Sequence, residues 1–312
     1  MKRLGIALFF ALFIMGASIA FGQKSFGNYP FENAKMYNIE LKDGSQIMGT
    51  FLSKDSTTIV IKTSALPKVE IPMDKIQTIK EINLTNFKNG KYWFPNPNAT
   101  RYLFSPSAFN LRRGEGYYQN TMLTLNSFNV GLTDNISIGG GFELISTIIS
   151  LTASNSTGST FAPIFFLTPK VGFRVNEKFN AGGGILYVNV PSFDNSGNSR
   201  NSLGIVYGIG TYGSIEHNVT GGAGWGFIAG EFSKNPFITV SGMTRIGKNV
   251  GLITENWFIP IGELNRSYYG LFSYGVRFFG EKISVDLAFV NNKDIAELLI
   301  IGIPFVDFVV KF

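Results

Sequence analysis

The sequence predicts an all-β protein, an antiparallel transmembrane β-barrel of about twelve strands preceded by a small periplasmic β-domain. Three observations lead to this fold class. Aromatic residues make up 14% of the 312 residues and charged residues only 15%, a balance that excludes disordered chains and coiled coils. Beyond residue 100, segments of about ten residues alternate apolar and polar side chains. Very short polar turns alternate with longer polar connections, as in outer-membrane barrels.

Residues 1–22 fit a signal peptide. Lys2 and Arg3 precede an apolar stretch from Leu4 to Met15, and Ala20-Phe21-Gly22 satisfies the small-x-small rule of signal peptidase. We therefore predict cleavage before Gln23. The alternative is an uncleaved membrane anchor, because the apolar stretch with its small residues is just long enough to span a bilayer.

Residues 36–82 have the pattern of a small β-domain. They contain five short strand-like segments, with Asp43-Gly44 as a hairpin turn, and we interpret them as an SH3-like or Sm-like periplasmic domain. Six lysines balance six acidic residues here, so no nucleic-acid partner is expected. A packing or docking role remains, which makes a periplasmic protein a candidate partner. An N-terminal segment, residues 23–35, precedes this domain, and a linker, residues 83–99, follows it.

The barrel is predicted to occupy residues 100–312. An even number of strands is what bacterial single-chain barrels require, and it places both ends of the barrel, with the preceding residues, in the periplasm. The predicted strands are 101–107, 117–132, 136–148, 161–174, 179–190, 202–213, 218–230, 236–246, 250–260, 268–279, 282–290 and 302–312.

The alternation gives each predicted strand an apolar face and a face that bears charge and glycine. A soluble sandwich would alternate in the same way, but aromatic residues near the segment ends, such as Tyr187 and Trp257, favour an interfacial girdle and hence lipid on the apolar face. A charge at mid-membrane on that face would cost about 2–4 kcal/mol. The predicted lipid-facing residues are Phe142, Leu144, Phe165, Leu167, Val285, Leu287, Phe308 and Val310. The predicted lumen-facing residues are Glu143, Lys170, Arg174, Arg245, Glu255, Arg277, Asp286, Asp307 and Lys311.

The C-terminal residues Phe308, Val310 and Phe312 form an alternating strand with a terminal aromatic. This ending resembles the assembly signal of bacterial outer-membrane proteins, which implies the outer-membrane assembly machinery and outer-membrane lipid as partners.

The stretch from Asn96 to Gly140, NPNATRYLFSPSAFNLRRGEGYYQNTMLTLNSFNVGLTDNISIGG, resembles an uncharacterised family of outer-membrane β-barrel proteins of Bacteroidetes-type bacteria. The resemblance extends over residues 96–312, and its distinctive motif lies within 98–120. It implies the barrel fold and a location in the cell outer membrane, and it carries no activity to individual residues.

No enzyme activity, metal or cofactor is predicted. The chain has no Cys and one His, which excludes thiolate and multi-His metal sites. Gly208–Gly213 fits G-x-G-x-x-G and Gly242–Lys248 resembles a P-loop, but each leads into a strand rather than the helix that a phosphate site needs. His217 lies beside Ser214 and Glu216, but all three share one predicted periplasmic turn, at the wrong end for outer-leaflet lipid.

Three functions remain open at this stage. The first is a narrow channel or transporter for small solutes, the second a structural or docking barrel with a periplasmic adaptor domain and no open pore, and the third a membrane-embedded lipid hydrolase. A soluble secreted β-protein is the non-membrane rival. Because the inward charges nearly balance in sign and have long side chains, we expect them to bridge part of the lumen, which leaves at most weak ion selectivity.

Overall fold

The computed structural model describes residues 29–82, 87–88, 91–157, 162–191, 200–261 and 267–312. The chain divides into two compact units, Met1–Trp93 and Phe94–Phe312. The predicted signal peptide and its cleavage site lie outside the described residues. None of the helices in the described part of the chain is long and apolar enough to span a membrane.

The first unit is a five-stranded antiparallel sheet. Gly44, at a φ of +86°, forms the turn between the first two strands, and a single 3-10 turn, Met73–Lys75, precedes the fifth. The strands are β1 (Met36–Leu41), β2 (Gln46–Lys54), β3 (Thr58–Lys62), β4 (Val69–Pro72) and β5 (Ile76–Ile82). Their order in the sheet is β4-β3-β2-β1-β5. A separate hairpin follows, β6 (Phe87–Lys88) with β7 (Lys91–Tyr92).

The core of the first unit combines isoleucines with the aromatic side chains of Tyr37 and Phe51. Ile39, Ile59 and Ile61 are 0% exposed and pack with Tyr37 and Ile71. Burial of each such side chain contributes about 1.5–3 kcal/mol. The apolar face of the alternating strands in this unit therefore faces the interior of the domain, as in a soluble protein.

The second unit is a closed antiparallel barrel. Its strands are β8 (Gly116–Thr121), β9 (Leu125–Gly131), β10 (Ile136–Glu143), β11 (Phe165–Leu167), β12 (Lys170–Arg174), β13 (Phe179–Pro191), β14 (Arg200–Gly213), β15 (His217–Ile228), the short β16 (Glu231–Phe232), β17 (Phe237–Arg245), β18 (Val250–Ile261), β19 (Ser267–Phe279), β20 (Ile283–Asn291) and β21 (Ile303–Lys311). Two helices, α1 (Leu144–Thr157) and α2 (Lys293–Leu298), follow β10 and β20.

Twelve strands make up the barrel wall. β11 and β12 form one wall strand, which is interrupted because Pro169 between them has no N–H to donate; β10 and β13 pair with both pieces. β16 pairs only with β15 and stands off the wall. β21 pairs with β8, and β8 and β10 both pair with β9, so the sheet closes on itself and leaves no edge.

The predicted count of twelve is confirmed, although three of the predicted strands differ from the structure. Residues 101–107 are not a strand and show only an isolated bridge, Arg101 to Pro106. Residues 117–132 are two strands, β8 and β9, joined by a turn in which Met122 and Leu123 adopt φ of 51° and 65°. Left-handed backbone normally signals Gly or Asn, and two large apolar residues at this turn gave no such signal.

The predicted strand 136–148 is also wrong beyond residue 143, where α1 begins. The Glu143 carboxylate accepts hydrogen bonds from the amides of Ile145 (3.0 Å) and Ser146 (2.5 Å). It thereby caps two of the helix's unsatisfied N–H groups. Leu144 accordingly belongs to the helix rather than to the wall.

The two ends of the barrel differ as the turn pattern predicts. One end, termed the turn end, has short connections: 132–135, 175–178, 214–216, 246–249 and 280–282. The opposite end, termed the loop end, carries the connections that follow β8, β10, β13, β15, β18 and β20. All of these except the β8–β9 turn are longer than the turn-end connections.

The exterior of the wall is apolar and the interior polar. On β17, Ile238 and Val240 are about 40% exposed, whereas Thr239 and Ser241 between them are below 5%. Among the predicted lipid-facing residues, Leu167 and Leu287 are exposed on the wall, and Phe142, Phe165, Val285, Phe308 and Val310 are half-exposed. This arrangement is that of a membrane β-barrel.

Candidate functional site: the plugged lumen

The lumen is filled by residues 94–115, termed the plug segment. Both of its ends lie at the turn end: the Asn96 amide donates to Glu216 Oε1 (3.0 Å), and the Arg113 amide donates to Asp134 Oδ1 (3.0 Å). Between them the chain reaches into the barrel, where the hydroxyls of Ser105 and Ser241 lie 2.9 Å apart. The most deeply buried plug residues, each at most 4% exposed, are Asn98, Tyr102, Leu103, Ser105, Ser107, Ala108 and Leu111.

Glu255 on β18 holds the tip of the plug segment. Its carboxylate is 0% exposed and accepts hydrogen bonds from three consecutive amides, those of Leu103 (2.9 Å), Phe104 (3.0 Å) and Ser105 (2.9 Å). The Trp257 indole donates to its other oxygen at 2.7 Å. Hydrogen bonds to a charged acceptor are worth roughly twice neutral ones, so this carboxylate anchors the plug backbone.

Arg277 on β19 holds the opposite groups of the plug segment, its carbonyls. It forms a bidentate ion pair with Asp286, both distances being 2.7 Å, from the neighbouring strand β20. The same guanidinium donates to the carbonyls of Asn98 (2.6 Å), Arg101 (3.1 Å) and Tyr102 (2.9 Å). Arg277 and Asp286 are each 1% exposed.

Lys170 on β12 binds the returning part of the plug segment. Its ammonium donates to the carbonyls of Ser107 (3.0 Å), Phe109 (2.5 Å) and, less closely, Thr100 (3.3 Å). An ammonium has three donors, so these carbonyls satisfy all of them. Nearby, a Cβ on Gly172 would lie 2.6 Å from the Ala108 carbonyl, which shows how closely the plug approaches the wall.

Arg245 closes the turn end. It donates to Glu216 Oε2 (2.8 Å) and to the Phe94 carbonyl (2.7 Å), and its guanidinium lies 4.9 Å from the ring centres of both Phe94 and Phe279. A cation between two aromatic faces gains cation–π attraction. The first residue of the plug segment is thus fixed at the barrel mouth.

Asp307 on β21 is 1% exposed and binds wall residues. It accepts hydrogen bonds from the side-chain Nε2 of Gln119 (2.7 Å) and the Thr121 hydroxyl (2.6 Å). Gln119 in turn accepts a hydrogen bond from Arg101 of the plug segment. Asp307 therefore reaches the plug through a single intermediate side chain.

Three of the predicted lumen-facing charges are not in the lumen interior. Glu143 caps α1, because β10 ends there. Arg174 is exposed at the turn-end rim, where its Nε donates to the Asn176 carbonyl (3.2 Å). Lys311, also at the rim, forms an ion pair with Glu115 at 3.1 Å. Alternation assigns a face but not a depth, and these residues lie at strand ends.

The predicted C-terminal signal lies at the closing seam. Phe312 and Gly116 exchange backbone hydrogen bonds of 2.9 and 3.2 Å, and a Cβ on Gly116 would lie 2.5 Å from the Phe312 ring. The glycine therefore leaves room for the terminal aromatic where the first and last strands meet. Whether the assembly machinery binds this residue remains a prediction.

His217 and its neighbours do not form a catalytic relay. The His217 Nδ1 pairs with the Thr244 hydroxyl at 2.8 Å, and the Ser214 hydroxyl accepts only backbone amides, from Glu216 and His217. The Glu216 carboxylate binds Arg245 and Asn96. Within the described residues, no group of three His, Asp or Glu side chains is placed to hold a metal ion.

Beside the plug segment lies a cavity of about 130 Å³, termed the lumen cavity. The plug contributes Arg101 and Phe104, and Phe237 and Trp257 line the cavity at the loop-end side of the wall. Arg101 was not among the predicted lumen-facing residues, because residues 101–107 were predicted to be a strand of the wall rather than a segment inside the lumen.

No family model matches the chain, and no curated protein matches it. Solved structures of similar architecture include a KdgM porin in complex with disordered oligogalacturonate, with 9% identity and a TM-score of 0.37 over 63% of this chain and 95% of that one. A NanC porin has 7% identity and a TM-score of 0.36, over 63% of this chain and 97% of that one. The CymD monoaromatic hydrocarbon channel has 9% identity and a TM-score of 0.31, over 93% of this chain and 92% of that one.

The fold rests on the chain's own strand pairing: a closed barrel of twelve antiparallel strands with an apolar exterior and a polar interior. That combination is an outer-membrane β-barrel, and in this one the lumen is occupied by the protein's own preceding segment.

Proposed function

We propose that the protein is a narrow outer-membrane channel for small solutes, closed in this structure by its plug segment. The observation that carries the proposal is that the wall presents small polar side chains to the plug segment. Four of them are at most 4% exposed: Thr211, Thr220, Thr239 and Ser241. A barrel of about twelve strands exceeds the eight-stranded size that its own side chains fill. This lumen is filled instead by a separate segment held by hydrogen bonds, and the hydroxyls behind it suit water once the plug shifts.

A structural barrel with no open pore is the second candidate. It is favoured by the number of buried charged contacts that fix the plug, since Glu255 and Arg277 each bind three plug backbone groups. The two candidates differ in whether the plug moves, and that difference is measurable.

Conductance in planar bilayers tests whether the plug gates the lumen. The unmodified protein should show no openings or small ones, and Glu255→Gln, which weakens the anchor of three plug amides, should increase open time. The chain has no Cys, so Ser105→Cys with Ser241→Cys, whose hydroxyls lie 2.9 Å apart, gives a clean disulfide lock. Oxidation of this double variant should abolish the openings and reductant should restore them.

Ser105→Cys alone is the matched control and should respond to neither reagent. If deletion of residues 99–110 yields a folded barrel that never conducts, the channel is excluded and the structural candidate stands. Openings that persist in the locked double variant would show that solutes do not pass where the plug lies.

We further propose that residues 1–22 are a signal peptide and that the first unit lies in the periplasm. We also propose that the protein belongs to the Bacteroidetes-type family that it resembles. Two features support an SH3-like or Sm-like type for residues 36–82, namely the strand order β4-β3-β2-β1-β5 and the 3-10 turn before β5. N-terminal sequencing of the exported protein tests cleavage before Gln23. Protease protection of the first unit in intact cells tests the periplasmic location.

A partner for the first unit is part of the same proposal. A periplasmic protein that binds residues 36–82 would act on a domain that residues 83–93 connect to the plug segment. Cross-linking in the periplasm followed by mass spectrometry would identify it.

A further inference from the structure

We propose that the lumen cavity is a binding site for a small monocarboxylate with an apolar, single-ring-sized body. This inference deepens the proposed channel function, because it assigns the class of solute to the space beside the plug. It rests on the local charge, on two polar atoms that have no partner, and on the size and chemistry of the lining.

The charge around the lumen cavity is one-sided. Arg101 and Lys170 line it, and none of the described residues that line it is acidic. Among the described residues, neither cation has a carboxylate within ion-pair distance, whereas the other two lumen cations do: Arg277 pairs with Asp286 and Arg245 with Glu216. Lys170 is buried and Arg101 is half-buried. Asp307, which Arg101 reaches through Gln119, offsets one of these two charges. Charges withdrawn from water are normally paired, so one positive charge remains at this cavity for an anion to neutralise.

Two polar groups at the same cavity have no hydrogen-bond partner in the described structure. They are the Arg101 Nε and the Thr100 hydroxyl, both buried. Native proteins pair nearly all such atoms, with protein, water or ligand. Arg101 uses its terminal nitrogens on Gln119 and on the Leu103 carbonyl, so its Nε–H remains for a further acceptor.

Large apolar side chains make up much of the remaining lining, together with hydroxyl-bearing residues such as Tyr207 and Thr239. The apolar side chains include Phe104, Leu186, Ile205, Ile209, Phe237 and Trp257. A cavity of about 150 Å³ holds a benzene molecule, and the lumen cavity measures about 130 Å³. A carboxylate at Arg101 and a single ring against these side chains match both parts of this lining.

Benzoate is the probe, and benzyl alcohol and benzylammonium are its neutral and cationic counterparts. Titration calorimetry on the detergent-solubilised full chain should show benzoate binding at least tenfold more tightly than benzyl alcohol, with benzylammonium not binding. Added salt should weaken the binding of benzoate and leave the binding of benzyl alcohol unchanged. These comparisons use the unmodified protein, so they do not depend on a variant that folds.

Variants then locate the site. Arg101→Gln should weaken the affinity for benzoate at least tenfold. Benzyl alcohol should still bind this variant, which would show that the cavity is intact. Thr239→Phe, which fills the cavity from the wall, should abolish binding of both. Arg174→Gln removes an exposed rim cation and is the matched control, with benzoate affinity unchanged.

Equal affinities for benzoate and benzyl alcohol, no binding of either, or benzoate binding that survives both Arg101→Gln and Thr239→Phe would each overturn the proposal. Binding needs no conduction, so its failure is distinct from failure of the channel. Benzoate binding with a barrel that never conducts would leave a ligand-binding barrel, and conduction without benzoate binding would leave a channel for another solute.

Discussion

The first unit and the barrel have the same alternation of side chains and opposite burial. In the sheet of the first unit, Ile59 and Ile61 are 0% exposed, and the lysine that follows, Lys62, is exposed. In the barrel, Glu255 and Arg277 are at most 1% exposed, and Leu252 is 46% exposed. Period-two alternation thus specifies two faces, and the medium on each side determines which face is apolar.

The largest expected effect separates a buried ion pair from a surface one. Arg277→Met leaves Asp286 buried without its partner and removes the donor to three plug carbonyls, so we expect a loss of about 3–5 kcal/mol in the free energy of unfolding. The comparison is Lys35→Met in the first unit, where Lys35 pairs with Glu32 and Glu81 at the surface, and no measurable loss is expected. Urea unfolding of the protein in phospholipid vesicles measures the first, and hydrogen exchange of β1 and β5 measures the second.

The double variant Arg277→Met with Asp286→Leu is the control for the first measurement. It removes both charges and should recover part of the lost stability. If Arg277→Met alone unfolds like the unmodified protein, the inward assignment of this pair fails.

The next effect compares two leucines of similar exposure in different media. Leu287 on the barrel wall is 48% exposed and Leu52 on β2 is 44% exposed. Leu287→Arg should destabilise the barrel by about 2–4 kcal/mol, because it places a cation in hydrocarbon, whereas Leu52→Arg should leave both units unchanged. The fraction of protein that assembles into liposomes, together with urea unfolding, provides the measurement; equal tolerance would mean that the wall does not face lipid.

The smallest effect concerns pH and the first unit alone. Hydrogen bonds from the amides of Thr57 and Thr58 (2.7 and 2.8 Å) hold the pKa of the Asp55 carboxyl below its ordinary value. A lowered pKa in the folded state gives stability that is present near neutrality and is lost as pH falls below about 4. Amide protection factors of β3, measured between pH 5 and 2.5, should therefore decline with acid.

Asp55→Asn provides the control for the pH dependence. The amide oxygen still accepts hydrogen bonds and does not titrate, so the decline should become shallower. An unchanged slope would mean that other carboxyls account for it.

The barrel could be predicted from the sequence because its signal is local. Each wall strand alternates within itself, and charges such as Asp286 and Asp307 identify the inner face without knowledge of any neighbour. The turn at Met122 and Leu123 could not be predicted, since its residues are neither Gly nor Asn. The predicted strand at 101–107 replaced the missing one in the count, so twelve resulted from two errors that offset each other.

The plug escaped prediction because its contacts are remote in sequence. Arg277 binds Asn98 across 179 residues, and Glu255 binds Leu103 across 152. Six of the nine predicted charges, Lys170, Arg245, Glu255, Arg277, Asp286 and Asp307, lie buried in the lumen. Their partners were expected to be one another, and among the ion pairs of the described residues Arg277 and Asp286 are the pair that joins two of them. The prolines Pro95, Pro97 and Pro106 were the available indication that this stretch does not belong to the wall.

The position of the two plug ends determines the direction in which the lumen unblocks. Phe94 and Arg113 are both bound at the same mouth, to Arg245 and Asp134, so the segment is a loop tucked in from one side rather than a thread passed through. Such a loop withdraws through its own mouth without any chain end crossing the barrel. Movement toward the opposite mouth would have to drag everything before Phe94 through the bore. Pulling the plug segment out through the turn end therefore empties the lumen without moving a chain end through the barrel.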